Sequence, residues 1–485
     1  MGTESLILLT LAIVFGLYMA WNIGANDVAN AMGTSVGSGA LTLKGAVIIA
    51  AIMEFCGAFL VGPHVSETVR KGIVDPSMFA SDPMMLALGM LAALLAAGTW
   101  LQFASYFGWP VSTTHSIVGA IVGFGVAYGG FEAVKWGEVG YIAASWVVSP
   151  AISGVIAFVI FRLILVGIFH KPDPVAAAKR GTPLIVFFVM VTMTLVLTFK
   201  GLKHFWKNLG YHHLDGLPLS VGIFCALVLG IASALVCRKL VARLQPGDEL
   251  SISSARHLYI TRALSKAIMH LRRARNTADG DMKQAADDAL QQTQAIHKSA
   301  TQLAGREQTH SSYRQVERIF IFLQIISASF VAFAHGANDV ANAIGPMSVV
   351  VEMAWSVPMQ VPEQTTVSTA MLALGGFGIV VGLATWGWRV MQTVGSRITE
   401  LTPSRGFSAE FAAALTILVA SVCKLPISTT HTLVGAVLGV GLARGIGALN
   451  MRTVRDILIS WVVTVPAGAI LAVVFFYGLR LAVGH

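Results

Sequence analysis

A ten-residue polar string occurs twice in this chain. The first copy, residues 24–33, reads GANDVANAMG, and the second, residues 336–345, reads GANDVANAIG. Met32 against Ile344 is the one difference between them. A string so rich in Gly, Asn and Asp does not recur this closely by chance. We infer that the fold contains two copies of one structural unit.

Two more strings recur in the same order and extend the repeat over most of the chain. The string PVSTTH at residues 110–115 returns as PISTTH at residues 426–431. The string SWVV at residues 145–148 returns at residues 460–463. Because the spacing is nearly constant, we interpret the polar segment 238–318 between the halves as an insertion.

Long apolar runs indicate that the protein lies in a membrane. Hydrophobic residues make up 55% of the chain and charged residues only 12%. Crossing a bilayer core takes about 20 helical residues, because no water is present there to satisfy open backbone groups. The runs do not alternate in polarity, which excludes a β-barrel. We therefore predict an all-α polytopic membrane protein with about twelve transmembrane or re-entrant helices. The predicted spans lie near residues 5–21, 45–62, 84–107, 111–128, 141–169, 183–199, 217–237, 319–335, 367–388, 408–423, 427–443 and 457–479.

The order of the spans predicts that the two halves are inverted relative to one another. If every run crosses the membrane, seven crossings separate the two Asn-Asp strings, and seven is an odd number. Inverted-topology repeats with broken helices at the midplane, arranged around a site in the middle of the membrane, are typical of secondary transporters.

The polar segment 238–318 separates a first membrane repeat with additional spans, 1–237, from a second membrane repeat, 319–485. This segment carries most of the formal net charge of +9, and its apolar residues recur at helical spacing. Its basic ends adjoin predicted spans, so the positive-inside rule predicts that it is cytoplasmic and that both termini lie outside. The basicity is thereby explained by membrane topology, and we expect no nucleic-acid partner.

Asp27 and Asp339 are the strongest indication of function in the sequence. A carboxylate at membrane depth costs at least about 2.5 kcal/mol, so it is rarely present there without a function. We expect the glycines that flank each string to break the helix and free backbone carbonyls. Together with the carboxylates and four amides, these carbonyls would supply hard oxygen ligands for Na⁺ or a proton. The four amides belong to Asn26, Asn30, Asn338 and Asn342. The alternative is that the small residues serve close helix packing and the Asn side chains hydrogen-bond between helices.

The two Pro-x-Ser-Thr-Thr-His strings are predicted helix starts. Pro is favoured in the first turn of a helix, and the hydroxyls that follow can cap free amides or donate to a ligand. A helix N-terminus inside a membrane offers free N–H groups and partial positive charge, which suits phosphate or sulfate. The predicted anion-binding hydroxyls belong to Ser112, Thr113, Thr114, Ser428, Thr429 and Thr430. Back-bonding of Ser and Thr at a Pro kink is the alternative.

Two His residues and two Glu residues complete the set of candidates. His115 and His431 lie one turn into these helices, where they can titrate, donate to an anion or cap the helix. Glu54 and Glu410 are the other acidic residues that fall within predicted spans. Either ion coupling or a buried hydrogen-bonded pair would explain them.

With these motifs, the chain resembles the inorganic phosphate transporter (PiT) family, whose two signature regions contain the GANDVANA string. The resemblance also covers Gly62–Asp75, which reads GPHVSETVRKGIVD, and Thr402–His431, from TPSRGF to PISTTH. It implies an inverted-repeat symporter that imports inorganic phosphate with an ion gradient, and a homodimer in the lipid bilayer of the plasma or inner membrane. The overall likeness is to the sodium-coupled branch.

The resemblance also implies roles for individual residues. It assigns the coupling-ion site, with Na⁺ preferred to H⁺, to Asp27, Asn30, Asp339 and Asn342. It assigns the phosphate cradle to the six Ser and Thr residues of the two helix starts, and it implies that Glu54 and Glu410 are needed for transport. No cofactor other than the coupling ion is expected.

Three alternative functions remain open from the sequence. A sulfate permease would keep the fold and change the transported anion. An anion channel would also use rings of polar groups. An intramembrane metal-dependent hydrolase would need Asp27, His115, Asp339 and His431 together around a metal such as Zn²⁺. A transporter, and not an enzyme, is our principal expectation.

Overall fold

The computed structural model describes residues 2–62, 73–198, 219–243, 252–307, 312–356, 358–362, 367–391, 401–445 and 451–484. Within these ranges the chain is helical, and an isolated antiparallel bridge between Val74 and Val134 is the one β-type pairing. The all-α prediction is therefore confirmed. The helices are α1 Thr3–Gly37, α2 Leu43–Val61, α3 Pro83–Tyr106, α4 Thr113–Gly129, α5 Trp136–Ile164, α6 Pro174–Val196, α7 Leu219–Ala242, α8 Ile252–Thr277, α9 Asp281–Glu307, α10 Ser312–Trp355, α11 Thr369–Thr385, α12 Pro403–Val422, α13 Thr429–Arg444 and α14 Met451–Val483.

Each of the twelve predicted spans coincides with one of these helices, and α8 and α9 account for the helical periodicity of the insertion. Eight helices in the described part of the chain are long and apolar enough to cross a membrane. The helices that begin at the two Ser-Thr-Thr strings are shorter, with 17 residues in α4 and 16 in α13. Residues 63–72 of the GPHVSETVRKGIVD string lie outside the described residues.

Helices α3 and α4 form one hairpin, and α12 and α13 form another. The turn of the first hairpin, residues 107–112, and the turn of the second, residues 423–428, are called the hairpin tips below. The inner part of each tip is buried, including Val111, Ser112, Ile427 and Ser428. A re-entrant hairpin enters and leaves the membrane on the same side. Counting its two helices as crossings or leaving them out changes the total by two, so the predicted number of crossings between the two Asn-Asp strings stays odd.

The two halves pack against each other through equivalent contacts. In α4, Gly119 and Gly123 lie directly against the backbone of Val465 and Ala469 in α14. In α13, Gly435 and Gly439 lie in the same way against residues 150 and 154 of α5. A Cβ atom at any of these glycines would overlap the facing backbone, so these positions require the absence of a side chain.

The prediction that the helix breaks at each Asn-Asp string is wrong. Helix α1 runs without interruption through residues 24–33, and α10 runs without interruption through residues 336–345. The reason is that the glycines serve close packing: a Cβ atom at Gly24 would overlap the carbonyl of Ile379, and one at Gly336 would overlap the carbonyl of Glu54. The helix breaks occur instead at the hairpin tips.

The chain divides into two compact units. One comprises residues 1–164, 185–234 and 320–485, and the other comprises residues 165–184 and 235–319. In the second unit, α8 and α9 pack together and are joined by a turn in which Gly280 has a φ of +59°. Arg275 Nε lies 3.0 Å from Asp287 Oδ1 across this pair, but both side chains are exposed, so this ion pair adds little stability.

Candidate functional site

The two Asn-Asp strings and the two Ser-Thr-Thr strings meet at one buried place. Asn30 Nδ2 donates to Thr430 Oγ1 at 2.7 Å. Asn342 Nδ2 donates to the hydroxyls of Thr113 and Thr114 at 3.3 and 3.2 Å. All these side chains are buried. Each Asn-Asp helix therefore contacts the Ser-Thr-Thr string of the opposite half.

The two hairpins also contact each other at this place, again in an equivalent way. Thr114 Oγ1 donates to the carbonyl of Ile427 at 3.0 Å, and Thr430 Oγ1 donates to the carbonyl of Val111 at 3.3 Å. Each threonine lies in the first turn of its helix, and each carbonyl belongs to the tip of the other hairpin. The N-termini of α4 and α13, with their partial positive charge, are thus brought together at the centre.

The two aspartates lie at this centre with different partners. Asp27 Oδ1 accepts hydrogen bonds from Asn30 Nδ2 at 3.0 Å and from Thr430 Oγ1 at 3.4 Å. Asp339 Oδ2 accepts from Thr429 Oγ1 at 2.8 Å, and Asp339 Oδ1 accepts from Asn338 Nδ2 at 2.9 Å. Both carboxylates are completely buried. The two carboxylates are neighbours at the centre, because ligand atoms of Asp27, His335 and Asp339 lie within 4.8 Å of one another.

Asn26 and Asn338 hold the hairpin tips. Asn26 Nδ2 donates to Ser105 Oγ at 3.0 Å and to the carbonyl of Trp109 at 3.1 Å, and Asn26 Oδ1 accepts from the backbone N–H of Val111 at 3.3 Å. In the other half, Asn338 Nδ2 donates to the carbonyl of Ile427 at 3.2 Å and Asn338 Oδ1 accepts from Ser421 Oγ at 3.3 Å. The structure gives these two predicted ion ligands an anchoring role.

Ser112 and Ser428 cap the two helices that start at the centre. Each side-chain oxygen accepts a hydrogen bond from a backbone N–H three residues later, that of His115 or of His431, at 3.2 Å. This contact is the usual N-cap arrangement. Among the six hydroxyls predicted to bind the anion, the four of Thr113, Thr114, Thr429 and Thr430 are the ones that contact the Asn and Asp side chains of the centre.

His335 is a central residue that the sequence analysis missed. Its Nε2 atom lies 2.9 Å from Asp339 Oδ2 and 3.7 Å from Asp27 Oδ2, and its Nδ1 atom lies 3.3 Å from Glu54 Oε1. All four side chains are completely buried. A protonated imidazole here would offset one of three neighbouring negative charges. The signal in the sequence was its position directly before Gly336, where the first copy has Ile23.

Glu54 and Glu410 do not occupy equivalent positions, and they do not contact each other in the described structure. Glu54 lies in α2 beside His335. Its structural counterpart in the other half is Ile379, because Gly336 packs on the backbone of Glu54 as Gly24 packs on that of Ile379. Each of the two carboxylates therefore has its own buried polar partners. Glu54 reaches the aspartates through the imidazole of His335.

Glu410 has a separate polar pocket between α1, α10 and α12. Its Oε1 atom accepts hydrogen bonds from Thr34 Oγ1 at 2.5 Å, Ser35 Oγ at 2.6 Å and Gln324 Nε2 at 3.1 Å. Its Oε2 atom accepts from Ser327 Oγ at 2.6 Å. All five side chains are buried. The sequence analysis missed the four donors, although each is a polar residue within an otherwise apolar helix.

His115 and His431 lie against aromatic rings beside the centre. Their ring centroids are 4.3 Å apart, and His115 packs on Trp146 at 3.7 Å while His431 stacks on Trp461 at 3.4 Å. His431 Nδ1 lies 3.3 Å from the carbonyl of Trp146. In the described residues, the metal-capable group at the centre consists of Asp27, His335 and Asp339. The residue set predicted for a hydrolase is therefore not assembled.

The centre has acceptor oxygens that suit a cation. Within the described part of the chain, Asp27 Oδ2 and Asn342 Oδ1 are buried and accept no hydrogen bond. A buried acceptor without a donor is costly, so a cation or a bound water would stabilise both atoms. Ligand atoms of Asp27, His335 and Asp339 lie within 4.8 Å of one another, which is close enough to bind one ion. Carboxylate, amide and hydroxyl oxygens are the hard ligands that Na⁺ prefers.

Comparison with known proteins shows which proteins this chain is similar to. The phosphate transporter family matches residues 23–472. Inorganic phosphate transporter 2-1, chloroplastic, of Arabidopsis thaliana is 42% identical over 467 residues, which are 96% of this chain and 70% of that protein. A solved structure described as the sodium-dependent phosphate transporter is 35% identical, with a TM-score of 0.75 over 98% of this chain and 99% of that one.

Proposed function

Because this chain belongs to the phosphate transporter family, we propose that it is a secondary active symporter that imports inorganic phosphate together with a cation. We propose Na⁺ as the cation in preference to H⁺, and alternating access between the two repeats as the mechanism. The similar solved structure is described as sodium-dependent, which supports this choice of ion.

One observation carries the proposal: two carboxylate-bearing helices and two hydroxyl-bearing helix starts, taken from opposite halves, are hydrogen-bonded to each other at a buried centre. Asn30 contacts Thr430, and Asn342 contacts Thr113 and Thr114. The cation ligands and the anion ligands are thus direct neighbours. Binding of one ion therefore changes the environment of the other.

The charges at the centre supply the reason for coupling. Asp27 and Asp339 would repel a phosphate anion while they are unpaired, even though the N-termini of α4 and α13 favour it. A cation bound at the aspartates removes this repulsion. It also attracts the phosphate anion, and this attraction is strong because the two ions are close together and the dielectric constant of the buried centre is low. By linkage, phosphate must then strengthen cation binding by the same factor.

The arrangement of the hairpins supports alternating access. Each hairpin tip contacts the Asn-Asp helix of its own half, and the threonines that follow it contact the Asn-Asp helix of the other half. A relative movement of the two halves would therefore break the contacts between the halves and open the centre, while the contacts within each half persist. Inverted repeats in secondary transporters provide two such equivalent states.

The experiment is uptake of labelled phosphate by proteoliposomes that contain the purified protein. We expect uptake to follow an inward Na⁺ gradient, to fall to background when choline replaces Na⁺ at fixed pH, and to persist when a protonophore removes the proton gradient. Uptake that needs the proton gradient and ignores Na⁺ would instead establish H⁺ as the coupling ion. Uptake that needs neither gradient would contradict symport and favour a channel.

The choice of anion is tested in the same vesicles. We expect excess unlabelled phosphate to compete strongly with labelled phosphate and excess sulfate to compete weakly. Strong inhibition of labelled phosphate uptake by sulfate would instead indicate that the protein is a sulfate permease.

A further inference from the structure

Arg389, after the end of α11, carries a positive charge that three aromatic rings surround. Its guanidinium carbon lies 5.6 Å from the ring centre of Tyr106, 5.2 Å from that of Trp386 and 5.4 Å from that of Trp388. These distances are within the range of cation–π attraction, which fixes the guanidinium group in place without neutralising it.

The donors of this guanidinium are not all used. In the described part of the chain, Arg389 Nε is buried and has no hydrogen-bond partner. The ion pairs found there involve other residues, and none joins Arg389 to a carboxylate. A guanidinium whose faces are covered by rings presents its N–H groups at its edge, which is the geometry that binds a phosphate oxyanion.

Arg389 also lies beside the hairpin tip that helps form the centre. Tyr106 is the last residue of α3, and its ring contacts Phe107, which in turn contacts Trp109 at 5.3 Å. The carbonyl of Trp109 accepts a hydrogen bond from Asn26, next to Asp27. The rings of Tyr106, Phe107 and Trp109 are about half exposed. The charge therefore sits between the surface of the described structure and the buried centre.

We propose that Arg389, with Tyr106, Trp386 and Trp388, forms a second oxyanion site that binds a phosphate group outside the central cradle. Two sources of this group share the same chemistry: free inorganic phosphate and the phosphate of a phospholipid headgroup. In both cases the anion supplies the hydrogen-bond partner that Arg389 Nε lacks. Its negative charge also attracts the guanidinium, in addition to the cation–π attraction of the rings.

The first arm of the test measures binding of labelled inorganic phosphate to the whole protein in a phosphate-free detergent, with choline in place of Na⁺. Without Na⁺, the proposed coupling predicts that repulsion by Asp27 and Asp339 weakens the central cradle. The comparison of the wild type with Arg389→Gln then reports the outer site whatever the coupling ion is, because the substitution leaves the centre unchanged. We expect Arg389→Gln to weaken binding at least about tenfold, since a charge-assisted hydrogen bond is lost. Arg162→Gln, at an exposed position in α5, makes the same change of charge and should bind as the wild type does.

The second arm uses bilayer vesicles with brominated phosphatidylglycerol, which quenches the fluorescence of nearby Trp residues. If the site holds a lipid headgroup, quenching of Trp386 and Trp388 is strong in the wild type and decreases in Arg389→Gln, and the first arm shows no change. If the site holds free phosphate, Arg389→Gln weakens the binding of labelled phosphate in the first arm, and quenching by the brominated lipid is the same in the wild type and the variant. Arg389→Lys should keep the fold and recover part of either signal. Unchanged phosphate binding together with unchanged quenching overturns the proposal.

Discussion

Replacing Glu410 with Gln and with Leu separates two roles that this carboxylate can have. Four donors point at it, from Thr34, Ser35, Gln324 and Ser327. Three of them bond to Oε1 and one bonds to Oε2. Gln keeps an oxygen that can take the place of Oε1, and its amide group can donate to Ser327 in place of Oε2. Leu keeps the approximate volume and removes every acceptor.

The expected loss of stability follows from this count. Hydrogen bonds between membrane helices contribute on average about 0.6 kcal/mol each, so four of them amount to about 2.4 kcal/mol. Taking about 1.5 kcal/mol for a hydrogen bond to a charged acceptor, the same four bonds amount to about 6 kcal/mol. We therefore expect Glu410→Leu to lower the free energy of unfolding by about 2–6 kcal/mol and Glu410→Gln by about 1 kcal/mol or less.

Stability is measured by reversible unfolding in mixed detergent micelles, and transport by Na⁺-dependent phosphate uptake in proteoliposomes. If Glu410 binds a coupling ion, Glu410→Gln should retain its stability and lose most of its uptake. Full Na⁺-dependent uptake in a stable Glu410→Gln protein would remove Glu410 from the coupling machinery. Equal destabilisation by Gln and Leu would refute the argument from hydrogen bonds, because Gln retains most of them.

Three further substitutions test other parts of the structure. Asp27→Asn should abolish Na⁺-dependent phosphate uptake in proteoliposomes while the protein elutes as a folded species, because the amide keeps the size and removes the charge; unchanged uptake would exclude Asp27 from the mechanism. Gly336→Ala should lower the melting temperature and the yield of folded protein, since its Cβ would overlap the carbonyl of Glu54. Gly137→Ala is the matched control: no atom lies within 4 Å of its Cβ, so a similar loss there would contradict the packing argument. Ser112→Ala should cost about 1 kcal/mol of stability through loss of the N-cap of α4, and a melting temperature equal to that of the wild type would show that the cap is dispensable.

The repeat, the membrane setting and the family were all predictable from short-range information. The strings GANDVANA and P-x-STTH are contiguous in sequence, and apolar runs of about 20 residues predict spans without knowledge of their neighbours. Asp27 and Asp339 stood out because the sequence places a charge within an apolar helix twice. Each of these inferences depends on the chemistry of residues that are adjacent along the chain.

The site was predictable only in part, because its contacts join residues that are far apart in the chain. Sequence analysis expected helix breaks at Gly24 and Gly336, but a glycine permits either a break or a close helix contact. Backbone carbonyls of the facing helices α11 and α2 lie directly against these glycines, so both glycines make close helix contacts. The different surroundings of Glu54 and Glu410 were equally invisible, since both are single carboxylates in apolar helices.

By itself, the sequence determined that two similar units of helix and polar string lie in a membrane, and which residue types they bring there. The tertiary structure decided that each Asn-Asp helix contacts the Ser-Thr-Thr string of the opposite half. It also decided that His335 lies between Asp27, Glu54 and Asp339, and that Glu410 has its own set of donors. The physical reason is that burying a charge or an amide is tolerable only with suitable partners, and in this fold most of those partners come from other helices.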